Sequence, residues 1–402
     1  MTPEFYQTLV DRCWRRSGSL MYRPNQRQSC CPHYTIRLDS NLFKPAKDQR
    51  QAVNRFNKFI TGTDYDKEAA RKYPRSRDEA RKRDTEFNLV ERIHECEADS
   101  LRTPPEPAHN FTVTLEEDTF TEEKFLVFEN YQRTIHKESP SDITRGGFRR
   151  FLCDSPITRQ TVVLEDGRQK KLGSFHQCYR LDGKLVAMGV LDLLPHSVSA
   201  VYFLYHESLH KFCPGKLGAL REIALAREGD YGWWYPGYYI HSCPKMRYKM
   251  DYSPQYILDP ESLTWDPLDK EIVHFLGTQP YLSLSREKRL GAPVDGVLPG
   301  EPEDQGDQAS NDDEDLGGSG GTLFRSNMPG IATVSDMLAM DLDHIPIRLK
   351  SGNSLYEVSD LVAWDDRPFT EAGGLKSAIA ELVAVTGADL LGQYCVDFSR
   401  AG

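Results

Sequence analysis

Nowhere in the 402 residues is there a run of about 18 apolar residues, which excludes a helical membrane span. The opening residues, Met1 to Gly18, lack a basic stretch followed by an apolar core. No secretory signal is therefore expected, and the chain is placed in the cytosol, with the nucleus left open. Nine cysteines scattered over this length are too dispersed for a disulfide scaffold and are expected as free thiols. No Ser-His-Asp or Cys-His arrangement is recognisable, so no covalent nucleophile offers itself. An excess of basic charge is missing too, since the net charge is −10. That deficit is local. Leu290 to Phe324 holds nine acidic residues and no Lys or Arg, and the remainder sets 51 acidic against 50 basic residues. Local basic patches can therefore still act on a polyanion.

What is present concentrates between Ser197 and Pro260. Val198 to Tyr205 is rich in β-branched and aromatic residues and reads as a strand. The chain turns before Pro214-Gly215, and the spacing of Leu217, Leu220, Ile223 and Ala224 predicts a helix from about Gly215 to Arg227. Lys216, Arg221, Glu222 and Arg227 fall off its apolar stripe, and Gly229 stops it. The first turn of that helix offers unpaired N–H groups and the positive end of a dipole, which favour a phosphate or a carboxylate. Tyr231 to Ile240 is almost wholly aromatic, and Cys243 to Tyr252 adds Lys245, Arg247, Tyr248 and Lys249. Stacking surfaces beside cations suit the end of a nucleic acid. Taken singly, each of these features suits a strand core or a simple turn equally well.

Elsewhere, Phe5 to Trp14 has helical spacing, and Phe43 to Ile60 is amphipathic with a nearly all-positive outer face. Asp66 to Asp99 is dense in both charge signs and reads as a solvated linker or isolated helix. Helices are expected from Thr121 and over Thr144 to Cys153, then strands over His176 to Leu181, Leu185 to Leu194 and Val198 to Tyr205. The Asp182-Gly183 pair marks a hairpin between the first two. Ile272 to Leu276 is expected as a strand, Leu290 to Gly321 as a disordered acidic loop, and 329–402 as a small α/β element. The resulting division is 1–62, 63–110, 111–280, 281–328 and 329–402: an N-terminal module, a charged linker, a catalytic domain, an acidic loop and an extension.

The class is α+β. Two helices, an antiparallel meander, then a strand feeding a glycine-entered helix and another strand is the element order of a GNAT-like acyltransferase fold. The cofactor signature of that fold is imperfect, because Gly215-Lys216-Leu217-Gly218-Ala219 lacks the leading Arg or Gln. Several stretches together resemble the eukaryotic arginyl-tRNA–protein transferases. They are Tyr6-Gln7 through Trp14-Arg15-Arg16-Ser17-Gly18, Cys30-Cys31-Pro32-His33-Tyr34-Thr35-Ile36-Arg37, and Phe148 to Cys153. To these are added Leu191 to Pro195, Ser199 to Phe203, Gly215-Lys216-Leu217, Gly237 to Ile240 and Cys243 to Met246. The resemblance covers roughly Met1 to Arg37 and Glu122 to Pro260.

That resemblance implies transfer of arginine from arginyl-tRNA to proteins with N-terminal Asp, Glu or oxidised Cys, marking them for ubiquitin-dependent degradation. The family opens with a Cys-x-x-Cys segment that joins the adjacent cysteines in an iron–sulfur or zinc site. No Cys-x-x-Cys occurs here, so Cys30 and Cys31 match half of such a site. An activated ester attacked by an amine of pKa about 8 needs positioning and oxyanion stabilisation rather than a nucleophile or cofactor. Lys216, Arg221, Lys245, Arg247 and Tyr248 are the expected tRNA contacts. Arg37, Arg150 and His176 are the expected contacts to the acidic N-terminus. Asp192 is expected to receive the transferred arginine, to act as base, or equally to form a structural salt bridge or turn cap, since a carboxylate in an apolar strand requires a partner. Tyr238 and Tyr239 are expected to line the site or donate to the oxyanion, although adjacent positions of a strand send one of them to the other face. Two other classes remain open: an inactive form that only binds tRNA or acidic N-termini, and an acyl-CoA N-acyltransferase.

Overall fold

The computed structural model describes residues 1–291, 321–349, 354–364, 367–393 and 395–398. The acidic loop expected over Leu290 to Gly321 lies almost wholly outside the described residues. Residues 1–23, 33–258 and 265–274 form one unit, and residues 24–32, 259–264 and 275–402 form a second.

The first unit is built on one mixed sheet. Its strands are β3 (Tyr34–Asp39), β4 (Phe111–Glu117), β5 (Gln160–Val163), β6 (Gln169–Leu181), β7 (Lys184–Leu194), β8 (Ser197–Tyr205), β9 (Trp233–Tyr235), β10 (Tyr238–Tyr239), β11 (Gln255–Leu258) and β12 (Trp265–Pro267). They lie in the order β12-β11-β3-β9-β8-β7-β6-β4, with β10 on β3 and β5 on β6. A separate hairpin joins β1 (Arg15–Ser17) to β2 (Leu20–Tyr22). The β6–β7 turn has Asp182 and Gly183 at φ +51° and +79°, the left-handed pair that a tight hairpin demands.

Helix α1 (Pro3–Val10) is capped by the Thr2 hydroxyl and stops four residues short of the expected Trp14, the chain turning over Asp11 to Cys13 before β1. Helix α2 (Lys47–Thr61) buries Val53, Phe56 and Ile60 and leaves Lys47, Arg50, Arg55 and Lys58 exposed. The charged stretch carries α3 (Thr63–Lys72), α4 (Arg77–Thr85) and α5 (Leu89–His94). Helix α4 buries nothing, whereas α5 sends Leu89 and Ile93 into the main core. One face of the sheet is covered by α6 (Glu122–Tyr131) and α7 (Arg145–Phe148), where Phe125, Phe128, Phe148 and Leu152 pack on Met188, Val190 and Leu204. The other face is covered by α8 (Pro214–Glu228), whose Leu220, Ile223 and Ala224 meet Leu191, Leu193, Val198 and Trp234. Ile272 to Leu276, expected as a strand, is helical within Lys270–Thr278, and its buried Ile272 and Leu276 stand one turn apart.

In the second unit a small sheet pairs Pro346–Arg348 with Leu355–Glu357 and Val396–Asp397. A helix over Leu375–Thr386 buries Ile379, Val383 and Ala384 into the same cluster as Ile347 and Val358. Among the described residues no helix is long and apolar enough to cross a membrane.

Candidate active site

One row of residues crosses the sheet on the face opposite α8: Ser174 faces Asp192, Asp192 faces Ser199, and Ser199 faces Tyr235. It is polar because the N-terminal segment covers it with polar groups. Arg16, on β1, donates from Nε to Asp192 Oδ2 at 2.8 Å and from Nη2 to Oδ1 at 2.7 Å. The Ser174 hydroxyl donates to the same carboxylate at 2.6 Å. Both partners of this pair are fully enclosed, with side-chain exposures of 1% and 0%. Burial opposes the Arg16 charge, and the Asp192 carboxylate more than restores it, so its pKa ends raised. Two neighbouring contacts continue the row: Ser197 Oγ donates to Gln7 Oε1 at 2.7 Å, and the Tyr235 hydroxyl donates to Asp11 Oδ1 at 2.7 Å. The hairpin that brings Arg15 and Arg16 here turns at Gly18, φ +59°, where any Cβ would fall 1.9 Å from the carbonyl oxygen of Arg150. Only glycine lets the two backbones come this close.

Beside this row the sheet parts. Strands β8 and β9 run parallel and paired only over Ser197–Ser199 and Trp233–Tyr235. Beyond Tyr235 the chain turns through Pro236-Gly237, with Gly237 at φ +83°, and β10 keeps the pairing with β3 that β9 also makes but not the pairing with β8. The expected single aromatic strand is therefore two strands. A Cβ on Gly237 would lie 3.8 Å from Ala200 O and 3.6 Å from Lys249 Nζ, so Lys249 stands at the parting. Its amine donates to Tyr238 O at 2.6 Å, and burial, aided by Arg15, pulls its pKa down to about 7. Tyr238 gives its hydroxyl proton to Cys13 O at 2.5 Å, while the Tyr239 hydroxyl bonds His241 Nδ1 at 2.9 Å. On the α8 face, Glu222 is 3% exposed and accepts from the Trp234 indole N–H at 2.8 Å. Burial pushes its pKa up to about 7.

The cations expected to meet tRNA separate into two sets. Lys245, Arg247 and Tyr248 are exposed on the 3₁₀ segment Pro244–Asp251, and Lys216 is half-buried on the first turn of α8, paired with Asp48. Arg221 is a different case and corrects the expectation. It is 5% exposed, donates to Ile93 O at 2.7 Å and pairs with Glu97. Its helix is covered on two sides, by the sheet and by α5, so positions off the main stripe are interior as well. The N-terminus of α8 has no side-chain cap; open space surrounds Gly215, and Arg55 reaches the Cys213 thiol at 3.5 Å.

Of the residues expected at the acidic N-terminus, Arg37 is held between the rings of Trp233 and Trp265, at 3.8 and 4.0 Å, and reaches the Tyr235 hydroxyl at 3.4 Å. Arg150 is exposed on the helical turn after α7. His176 is fully buried, its Nε2 bonded to Leu152 O at 2.9 Å, and burial pulls its pKa down to about 4. A histidine so placed is neutral at pH 7 and is not the cation expected there. Asp192 gives both oxygens to residues of its own chain, so of its expected roles it fills the structural salt bridge and does not face substrate directly.

Cys30 and Cys31, in the second unit, are free thiols, one exposed and one half-buried. Among the described residues no three His, Cys, Asp or Glu side chains gather as a ligand set. These two cysteines therefore do not fit a four-ligand iron–sulfur or zinc centre by themselves.

Four residues of this region carry no active-site role in the sequence reading: Arg15, Arg16, Glu222 and Lys249, the last named there only among the cations after the aromatic run. The two arginines stand inside the motif Trp14 to Gly18, and an acid one position from the buried stripe of α8 was the available sign for Glu222.

The family model described as arginine-tRNA-protein transferase, N terminus, matches residues 1–51, and the corresponding C-terminus model matches residues 123–259. The arginyl-tRNA–protein transferase 1 of Saccharomyces cerevisiae is 28% identical over 380 residues, covering 88% of this chain and 69% of the yeast protein. The protein of the same name from Drosophila melanogaster is 28% identical over 385 residues, covering 70% of this chain and 79% of its own length. An aspartate/glutamate leucyltransferase of Pseudomonas fluorescens is 32% identical over 256 residues, covering 63% of this chain and 80% of the bacterial one.

Proposed function

The chain belongs to the arginine-tRNA–protein transferase family, and we propose that it moves arginine from arginyl-tRNA to the α-amine of proteins beginning with Asp, Glu or oxidised Cys. The observation that carries this reading is where the two matched segments meet. Residues 1–51 and 123–259 join at Arg16–Asp192, beside the parting of β8 from β10. The parallel β8–β9 pair that then separates, with α8 joined to β8 by the 3₁₀ segment Glu207–Phe212, supports a GNAT-like acyltransferase fold. In our reading the arginyl ester lies at this parting.

The chemistry requires little more than placement. The amine nitrogen attacks the ester carbonyl carbon, a C–N bond forms, the bond to the ribose oxygen breaks, and the amine's proton ends on that oxygen. Lys249, poised near neutrality, takes the proton from the amine and returns it to the leaving oxygen. Asp192 acts through Arg16 as a positioning residue, and the ring of Tyr238 walls the site. Lys245, Arg247 and Tyr248 offer charge and a stacking face to the acceptor end, with Lys216 beside the uncapped start of α8. The product N-terminus marks its bearer for ubiquitin-dependent degradation, in the cytosol or nucleus.

The test is to incubate the purified protein with radiolabelled arginyl-tRNA and peptides beginning with Asp or Gly. Label on the Asp peptide alone is the expected result. Acetyl-CoA turnover without tRNA, or peptide and tRNA binding with no label, overturns the reading.

A further inference from the structure

Arg15 and Arg16 are neighbours on β1, both buried, with exposures of 6% and 4%. They are answered differently. Arg16 presents the Nε and Nη2 edge of its guanidinium to the two oxygens of Asp192, the side-on fork that matches a carboxylate. Arg15 spends Nη1 on two carbonyl oxygens, of Trp14 at 2.7 Å and Val10 at 3.3 Å. Its own Nε and Nη2, the same edge, have no partner among the described residues. The guanidinium lies 5.1 Å from the ring of Tyr238 and 5.8 Å from that of Tyr235. Directly across from Tyr238 on β3 stands Thr35, fully buried, whose hydroxyl is also without a partner. The nearby carboxylate, Asp11, is committed to the Tyr235 hydroxyl and to the Gln7 amide at 3.1 Å. Tyr22, against Tyr238 at 6.1 Å and 39% exposed, forms the solvent edge of the cluster.

A buried guanidinium edge left unanswered is costly, and its desolvation is recovered only when an acceptor completes it. We propose that the Nε and Nη2 edge of Arg15, with the Thr35 hydroxyl, grips the side-chain carboxylate of the acceptor protein's acidic N-terminal residue. The pairing repeats for an incoming Asp or Glu what Asp192 does for Arg16. This assignment rests on the transfer reading above. It replaces His176, which carries no charge, as the cation for that carboxylate, and it places the acidic side chain next to Lys249, which bonds the carbonyl of Tyr238. The ester end of the arginyl group carries no carboxylate, so the fork does not suit the donor.

The experiment uses the full chain and measures binding as well as transfer. Equilibrium affinities are taken for two fluorescent hexapeptides differing only in Asp or Asn at position one, and for arginyl-tRNA. The wild type should prefer the Asp peptide. Arg15→Gln should weaken the Asp peptide about 100-fold, as expected for two charge-assisted bonds, and leave the Asn peptide and arginyl-tRNA within about twofold. Thr35→Val, which removes a hydroxyl with no partner in the fold, should weaken the Asp peptide about fivefold. It decides the matter if Arg15→Gln proves unfolded in a melting scan. An unchanged preference in either variant overturns the assignment. So does an equal loss for both peptides, or a loss of arginyl-tRNA affinity instead, which would give the fork to a phosphate. A wild type that transfers nothing yet prefers Asp through Arg15 refutes the activity while leaving the pocket standing.

Discussion

Glu222 offers the most quantitative test of how this core is built. The carboxyl sits between α8 and the sheet, one oxygen taking the Trp234 indole proton and the other so close to β7 that a Cβ on Gly189 would lie 3.5 Å away. Burial raises its pKa from 4.5 to about 7, and the Trp234 hydrogen bond opposes the rise only in part. Each unit corresponds to about 1.4 kcal/mol, so ionised Glu222 costs about 3 kcal/mol in the fold. Because the folded value is the higher one, the folded state holds this proton where the unfolded chain has released it. The favourable contribution is complete below pH 4.5 and is lost as pH rises through 7. Glu222→Gln keeps an acceptor for Trp234 and removes the charge. It should match the wild type at pH 4.5 and melt about 6–12 °C higher at pH 8, given the size of the unit. Melting scans of both proteins between pH 4.5 and 8.5 supply the measurement. Parallel curves, or a glutamine variant that is less stable at pH 8, would show that the carboxylate has a cationic partner or access to water, and the reasoning would fall.

Asp192→Asn leaves the Arg16 guanidinium enclosed without its counter-charge and should cost about 3–5 kcal/mol. A double replacement, Arg16→Met with Asp192→Leu, should recover most of that loss in urea unfolding while abolishing transfer, and a single variant that melts with the wild type refutes the pairing. His94 is raised to about 9 by hydrogen bonds to Glu228 and Glu97. Its stabilising effect is therefore full below about pH 6.5 and lost as pH passes 9. The melting gap between wild type and His94→Gln should close between those values; a constant gap sinks the assignment. Gly18→Ala drives a methyl into the Arg150 carbonyl and should displace the β1–β2 hairpin. Lowered stability and a lost preference for Asp-starting peptides are the expected readouts, and an alanine variant with wild-type melting and affinity refutes the close approach.

Much of the local structure is readable from the chain. Asp182-Gly183 specifies its hairpin through backbone sterics alone, and the apolar period of α8 marks its start within one residue. The demand that Asp192 have a partner also follows from its strand, since an apolar run cannot leave a carboxylate unanswered. Which partner it has does not follow. Arg16 lies 176 residues away, and only the stacking of the N-terminal hairpin on the sheet brings the two together. The same limit explains Arg221. Helical spacing reports one buried stripe, whereas a helix enclosed by a sheet and by α5 has two, and the second stripe turns a presumed tRNA contact into an interior ion pair. The aromatic run from Tyr231 reads as one strand, but the turn at Pro236-Gly237, φ +83°, divides it: both halves stay on β3 and only the first pairs with β8.

By itself, then, the sequence determined those features that a few neighbouring residues decide: strand and helix periods, the turns, and the motifs that carry the family resemblance. Tertiary structure decided which of its charges face one another. The difference is physical. Backbone preference acts over a few residues, whereas the state of a charge depends on everything within a few ångströms. Two adjacent arginines with nearly equal burial thus end with opposite fates, one closed by Asp192 and one whose same edge, beside the ring of Tyr238, has no partner among the described residues.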